Sequence, residues 1–187
     1  MPRIEMLPQQ PPDPDARELF DRVRRSRGSD APMPDLYRVL GVAPAMFKAW
    51  LDFAWPLRLN AKTSRKLREL MILRGALISR TAYEWAHHLP MAEEAGISAA
   101  QIAALPAWRE AGCFDATERV ALQLADEVTS GPGASQETID ALKRVGFNDA
   151  QVIELVLTTS FYVCVGRFLH SMDIKPEADY ETPLPSA

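Results

Sequence analysis

Glu84 and His88 stand four positions apart in Tyr83-Glu84-Trp85-Ala86-His87-His88, a spacing that puts both on one face of a helix within hydrogen-bond reach. A carboxylate beside an imidazole fixes its tautomer and strengthens it as a base, which suits general acid–base work near neutral pH. Upstream, Glu69 has Ile72, Leu73 and Ala76 at the third, fourth and seventh positions after it. Burial among them would raise its pKa unless Arg68 or a neighbouring helix supplies a counter-charge. Three groups in mismatched environments are what a proton relay needs. Each also has a plainer reading. A Glu-x-x-x-His pair can be a surface contact, and Glu69 can be an interior glutamate paired with an arginine to set helix packing.

Arg74 is the one charge among Leu70, Met71, Leu77 and Ile78 and could grip a substrate carboxylate with both arms of its guanidinium. Thr81, Tyr83 and Trp85 are the other substrate-contact candidates, with core packing the alternative for the two aromatic residues. His87 points off the Glu84–His88 face, toward solvent or an interface. His170 is expected at the end of the last helix, where a cation complements the dipole. A metal needs three or four converging ligands, and two adjacent histidines with acids do not supply that set, so no metal site is expected.

The elements that must hold these groups read as helices. Asp15 to Arg27 carries Leu19, Phe20 and Val23 as an apolar stripe. Ala45 to Trp55 carries Met46, Phe47, Trp50, Leu51 and Ala54, with Pro56 ending it. Of these, the aromatic group Phe47, Trp50, Phe53 and Trp55 reads as core, subunit interface or pocket roof. Ser64 to Arg80 is apolar nearly all round. Thr81 can cap a helix from Ala82 to Ala95, which Gly96 closes. Ser98-x-x-Gln101 is a capping box and Asp115-x-x-Glu118 opens another helix. Gly131-Pro132-Gly133 makes a turn before Ser135 to Val145, and Asp149 is placed to cap a long helix from Ala150 to about Ser171. The class expected is all-α. Glu69-Leu-Met-Ile-Leu is weakly echoed by Glu154-Leu-Val-Leu, as if a helical unit were duplicated, with Leu169 and Asp173 in the places of Glu84 and His88.

The 187 residues suit one domain with a sizeable core. Five of fifteen prolines fall in residues 1–14 and three in 176–187. Both ends are therefore expected as extended arms flanking a single domain over 15–175. The N-terminal stretch lacks the apolar segment of a secretory signal, and no run of eighteen uninterrupted apolar residues suggests a membrane span. A net charge of −4 gives no general drive toward nucleic acid or anionic membrane. Only two cysteines occur, Cys113 and Cys164. Their spacing builds no disulfide framework, zinc ribbon or Cys-x-x-Cys pair, and a reducing cytoplasm is the expected location.

The stretch Arg68-Glu69-Leu to Leu73-Arg74, eleven residues between Glu69 and Thr81, then Tyr83-Glu84-Trp85-x-x-His88 resembles the carboxymuconolactone decarboxylase and alkyl hydroperoxidase D superfamily. Ala92-Glu-Glu-Ala-Gly-Ile-Ser98 and Gln101-Ile-Ala-Ala-Leu105 resemble its continuation. The resemblance implies an alkyl hydroperoxidase D-like helical bundle built from a duplicated unit, and a homo-oligomer, trimer or hexamer. The hydroperoxidase branch carries Glu, eleven residues, then Cys-x-x-Cys-x-x-x-His. Here the two cysteine positions hold Thr81 and Glu84, neither of which can form a thiolate or a disulfide. The decarboxylase branch uses a Glu-x-x-x-His arrangement at this place, which Glu84 and His88 reproduce.

What the resemblance implies is cofactor-free acid–base chemistry, a lyase or isomerase acting on a small carboxylated lactone or carbonyl compound. His88 would move the proton, Glu84 would orient and charge-balance it, and Glu69 would act as second acid or proton reservoir. The alternatives are a peroxiredoxin-like hydroperoxidase activity by homology and a non-enzymatic oligomer with a binding or scaffold role.

Overall fold

A computed structural model describes residues 2–28, 31–180 and 182–185. Met1, Glu181, Ser186 and Ala187, which belong to the expected terminal arms, lie outside the described residues. Among the described residues the regular structure is helical throughout. In chain order the α-helices are α1 (Pro14–Arg27), α2 (Asp35–Leu40), α3 (Pro44–Trp55), α4 (Arg65–Ser79), α5 (Ala82–Glu94), α6 (Ala99–Ala104), α7 (Ala116–Ser130), α8 (Gln136–Arg144) and α9 (Asp149–Met172).

Local chemistry explains most of the boundaries. Asp13 accepts from the Ala16 amide at 2.8 Å and starts α1 just before Pro14. Ser98 with Gln101 and Asp115 with Glu118 form both expected capping boxes. For α9 the cap is one residue earlier than the sequence suggested. Asn148, boxed with Gln151, accepts from the Gln151 amide at 3.0 Å, and Asp149 is already helical. Pro56 ends α3 at Trp55 as expected, but the chain does not straighten there. Proline has no N–H to return to the carbonyl four residues back, and the chain widens into a π turn over Pro56–Asn60.

The core helix α4 packs against α5, α7 and α9, while α1, α2 and α3 form a layer over α5 and the second half of α9. The apolar filling of that layer includes Phe20, Phe47, Leu51, Tyr83, Phe161 and Val165. A second cluster joins Leu70 and Leu73 of α4 to Trp85, Trp108 and Leu122. A third joins Leu67 and Met71 to α7, α8 and the start of α9. By length and hydropathy α9 is the one described helix that could cross a bilayer. Eight of its residues are buried inside the bundle, among them Leu155, Phe161 and Val165.

Arg80, left-handed at φ 53°, and Thr81 link α4 to α5 in two residues. That short link folds the two helices into a hairpin and turns Glu69 toward His88. The echo in the second half does not repeat this hairpin, because α9 runs past Leu169 to Met172 without a break.

Both terminal segments lie on the domain. Arg3 donates its amide to the Met172 carbonyl at 2.8 Å, and Gln9 makes a reciprocal pair with the Met33 backbone. The chain after α9 reaches α5 through Glu177 and a short 3-10 turn, Ala178–Tyr180, whose Tyr180 stacks on His87.

Candidate active site

Three elements converge where the N-terminal layer meets the core. α4 brings Glu69, α5 brings Tyr83, Glu84, His87 and His88, and α9 brings Phe161 and Tyr162. Glu69, Glu84, His87 and His88 are all buried. The principal contact is between helices. His88 Nδ1 lies 2.7 Å from Glu69 Oε2, so the nitrogen next to the main chain donates to a carboxylate nineteen residues away. Nε2 is then the nitrogen left to exchange a proton. Burial pushes the Glu69 carboxyl up, but His88, Arg58 and Arg65 outweigh it and hold the group below the ordinary glutamate range. Arg65 Nε is 3.8 Å from Glu69 Oε1.

Glu84 therefore does not orient His88, as its spacing suggested. The four-residue spacing puts both side chains along one cavity, but Glu84 turns toward Thr81 and α9. Among the described residues no cation acts on it, and burial raises its pKa to about 8 against a single hydrogen bond from Thr81. Its Oε1 has no hydrogen-bond partner among the described residues. At neutral pH Glu84 is a carboxylic acid and Glu69 a carboxylate, the reverse of the reservoir role first expected for Glu69. Gly166 of α9 permits this packing. A Cβ there would come within 2.9 Å of Thr81 Oγ1 and 3.3 Å of Glu84 Oε2.

The cavity that Glu84 and His88 share has a volume of about 60 Å³, and its wall includes Tyr37, Trp50, Tyr83, Phe161 and Tyr162. Tyr162 meets His88 edge-on at 4.8 Å. Glu69 opens instead on a neighbouring chamber of about 290 Å³, and Arg58, Met91 and Tyr162 border both. The Glu69–His88 hydrogen bond thus spans two chambers.

Two other candidates lie elsewhere. Arg74 does not reach either chamber. Its Nε is 2.6 Å from Asp126 Oδ1, and Nη1 donates to the carbonyls of Leu105 and Pro106. The guanidinium ties α4 to α7 and the loop after α6, because Arg74 sits five residues, about 140° around the helix, from Glu69. Trp85 is packed with Leu70, Leu73 and Leu122 on the far side of α5. Of the other contact candidates, Tyr83 lines the smaller chamber. Thr81 hydrogen-bonds Ser79 Oγ at 2.8 Å and serves Glu84. His170, in the last turn of α9, donates from Nε2 to the Ser79 carbonyl at 2.9 Å, closing the end of α4.

His87 is neither solvent-facing nor free. It is stacked between Tyr83 at 4.2 Å and Tyr180 at 4.0 Å, with Nε2 2.6 Å from Glu177 Oε2. Glu177 also accepts from the Asp35 amide at 2.7 Å and the Tyr83 hydroxyl at 3.2 Å. Burial opposes its ionisation, yet these donors bring its pKa down to about 2. Nothing in the local pattern around His87 announces a partner ninety residues later. Cys113 and Cys164 are exposed and unpaired. Among the described residues, no group of three or more His, Cys, Asp or Glu is arranged to hold a metal ion.

Comparison with known proteins agrees with this architecture. The model of the carboxymuconolactone decarboxylase family matches residues 44–127, the segment from α3 through most of α7. No curated protein matches the chain. Among solved structures, an uncharacterized peroxidase-related protein from Ralstonia eutropha JMP134 superposes with a TM-score of 0.81 at 16% identity, covering 96% of this chain and 94% of that one. One from Silicibacter sp. TM1040 gives 0.79 at 20%, covering 96% and 94%. The debrominase Bmp8 in complex with 2,3,4-tribromopyrrole gives 0.78 at 16%, covering 95% of each chain. These likenesses establish the fold. The family match covers just under half of the chain and spans the helices that bear Glu69, Glu84 and His88, so this segment is similar to the carboxymuconolactone decarboxylase family and is carried on an alkyl hydroperoxidase D-like fold.

Proposed function

We propose that this protein is a cofactor-free acid–base enzyme, a lyase or isomerase acting on a small unsaturated carbonyl or lactone acid. The observation that carries this reading is the division of labour at one cavity. His88 is held in a fixed tautomer by an ionised Glu69, beside a Glu84 kept protonated to about pH 8 by burial. Two carboxyl groups whose environments push their pKa values apart are the usual basis for separate acid and base roles.

In an isomerisation, His88 Nε2 takes a proton from the carbon next to the carbonyl. The bonding electrons move into the conjugated system, and the Glu84 acid hydrogen-bonds the oxygen that becomes negative. Return of the proton at another carbon completes the step. In a decarboxylation the electrons of the breaking carbon–carboxylate bond follow the same path, and Glu84 supplies the proton to carbon as carbon dioxide leaves. Glu69 balances the imidazolium form of His88. The aromatic wall of Tyr37, Trp50, Phe161 and Tyr162 shields the reacting group from water beside His88. A debrominase of the same fold takes 2,3,4-tribromopyrrole, which supports a small unsaturated substrate.

The reading is tested by following carbon dioxide release and ultraviolet absorbance with a panel of small unsaturated lactone acids and keto acids. Turnover by the wild type should drop about 100-fold or more in His88→Ala and in Glu84→Gln. Unchanged turnover in both variants sinks the assignment. Peroxide reduction that depends on His88 but survives replacement of Cys113 and Cys164 would favour the hydroperoxidase alternative. Loss of folding in both variants, with no panel compound moving the melting temperature of the wild type, would favour a scaffold.

A further inference from the structure

The smaller chamber holds too little space for a ring-sized substrate. Its volume of about 60 Å³ is well below the roughly 150 Å³ of an apolar cavity that takes benzene. The chamber of about 290 Å³ beside it is lined by three arginines, Arg58, Arg65 and Arg68, against the single carboxylate of Glu69. These arginines are not equally committed. Arg65 is shared between Glu94 at 3.0 Å and Glu69 at 3.8 Å. Arg68 is buried and turned back onto the carbonyl and hydroxyl of Thr63, facing Glu154.

Arg58 is different. Its Nη2 rests on the Met91 sulfur at 3.6 Å and it bonds the Tyr37 side chain. Among the described residues no carboxylate lies within 4.0 Å of it. A thioether is a weak acceptor, so most of the hydrogen-bonding capacity of this guanidinium is unspent. Arg58 is exposed and stands on the π turn Pro56–Asn60 at the border of both chambers. Turns of this kind recur at functional sites because the widened backbone re-aims a side chain. The protonated Glu84 on the reaction side adds no negative charge that would repel an incoming anion.

We infer that Arg58 is the specificity-determining residue of the site. It anchors the substrate's carboxylate in the larger chamber while the reacting carbon lies against His88 in the smaller one. The inference rests on the acid–base reading above and replaces Arg74 as the anchor. It makes Met91 and Tyr162 the partition past which the substrate threads. A guanidinium accepts a carboxylate through two parallel hydrogen bonds, and a lysine offers only a point charge.

The test uses the full-length protein and calorimetric titration with 2-furoate and its neutral counterpart 2-furamide. The wild type should bind furoate about tenfold or more tightly than furamide. Arg58→Gln should abolish the preference, bringing both probes to the furamide affinity, and Arg58→Lys should restore only part of it. His88→Ala should keep the preference, because the anchor does not use the imidazole. Equal binding of the two probes by the wild type, or an undiminished preference in Arg58→Gln, overturns the inference. So does an absence of furoate binding up to about 10 mM, a level at which a charge-assisted contact should register. Should the anchor pass while the lactone and keto-acid panel shows no His88-dependent turnover, the chemistry is wrong and the anion site stands. Should turnover appear with no role for Arg58, the reverse holds.

Discussion

Glu84 is a carboxyl group with a hydrogen bond from Thr81 and, among the described residues, no cation beside it and one oxygen unpartnered. The physical consequence is a proton bound more tightly in the folded state than in the unfolded one. An unfolded glutamate titrates near 4.5 and Glu84 near 8, so its contribution to stability is complete below 4.5. That contribution is lost as pH rises toward 8, by up to a few kcal/mol. Replacing it by glutamine, which cannot ionise, should flatten the dependence. In thermal melts from pH 5 to 9, Glu84→Gln should overtake the wild type at the alkaline end while losing turnover. The wild type's kcat should also fall above about pH 8, when the acid is gone. Identical melting slopes in the two proteins would show that Glu84 is not the buried acid described here. Glu69 behaves oppositely, since its bond to His88 and the nearby arginines keep it ionised.

At the scale of elements, the decisive contact is the approach of α9 to the start of α5. Gly166 is the residue that lets it happen. Alanine is normally the better helix former by about 1 kcal/mol. Here, however, its methyl group would fall 2.9 Å from Thr81 Oγ1, a hydroxyl fixed by Ser79 and serving Glu84. Overpacking of this kind costs about 1–3 kcal/mol and outweighs the propensity gain. Gly166→Ala should therefore lower the melting temperature despite its better helix propensity, and should reduce turnover by displacing Glu84. A variant as stable and active as the wild type would mean that α9 can shift aside freely. The α4–α5 hairpin works with this contact. Its two-residue link at Arg80 and Thr81 is what turns Glu69 toward His88.

The whole molecule closes the site with its far end. Glu177 reaches back from beyond α9 to His87, Tyr83 and the amide that begins α2. It joins the C-terminal segment to both helical layers at the cavity wall. With its pKa near 2, Glu177 contributes stability that is complete above 4.5 and fades as pH falls toward 2. Glu177→Ala should cost about 2–3 kcal/mol at neutral pH, through three lost hydrogen bonds to a charged acceptor. It should also melt with a shallower acid limb than the wild type. Unaltered stability at pH 7 would mean that the segment merely rests on the surface. Deleting the chain from Pro176 should reproduce the loss and also unstack Tyr180 from His87.

Helical class, most caps and the motif containing Glu69, Glu84 and His88 could be read from the sequence, because each depends on neighbours three or four positions away along one helix. The Ser98 and Asp115 capping boxes are such local features, and both formed as read. Which carboxylate meets His88 could not be read. The spacing favoured Glu84, and the partner is Glu69, nineteen positions away on the preceding helix. The role of Arg74 failed for the same reason. Its charge is a property of the sequence, but Asp126 and the carbonyls of Leu105 and Pro106 arrive only when α7 and the loop after α6 pack on α4. His87 and Glu177, and the unspent Arg58, became visible only in the folded chain. The sequence alone determined which groups can carry protons and that no thiol pair stands at the motif. Tertiary structure decided which group is acid and which is base, because desolvation and counter-charge come from residues that meet only when distant segments pack together.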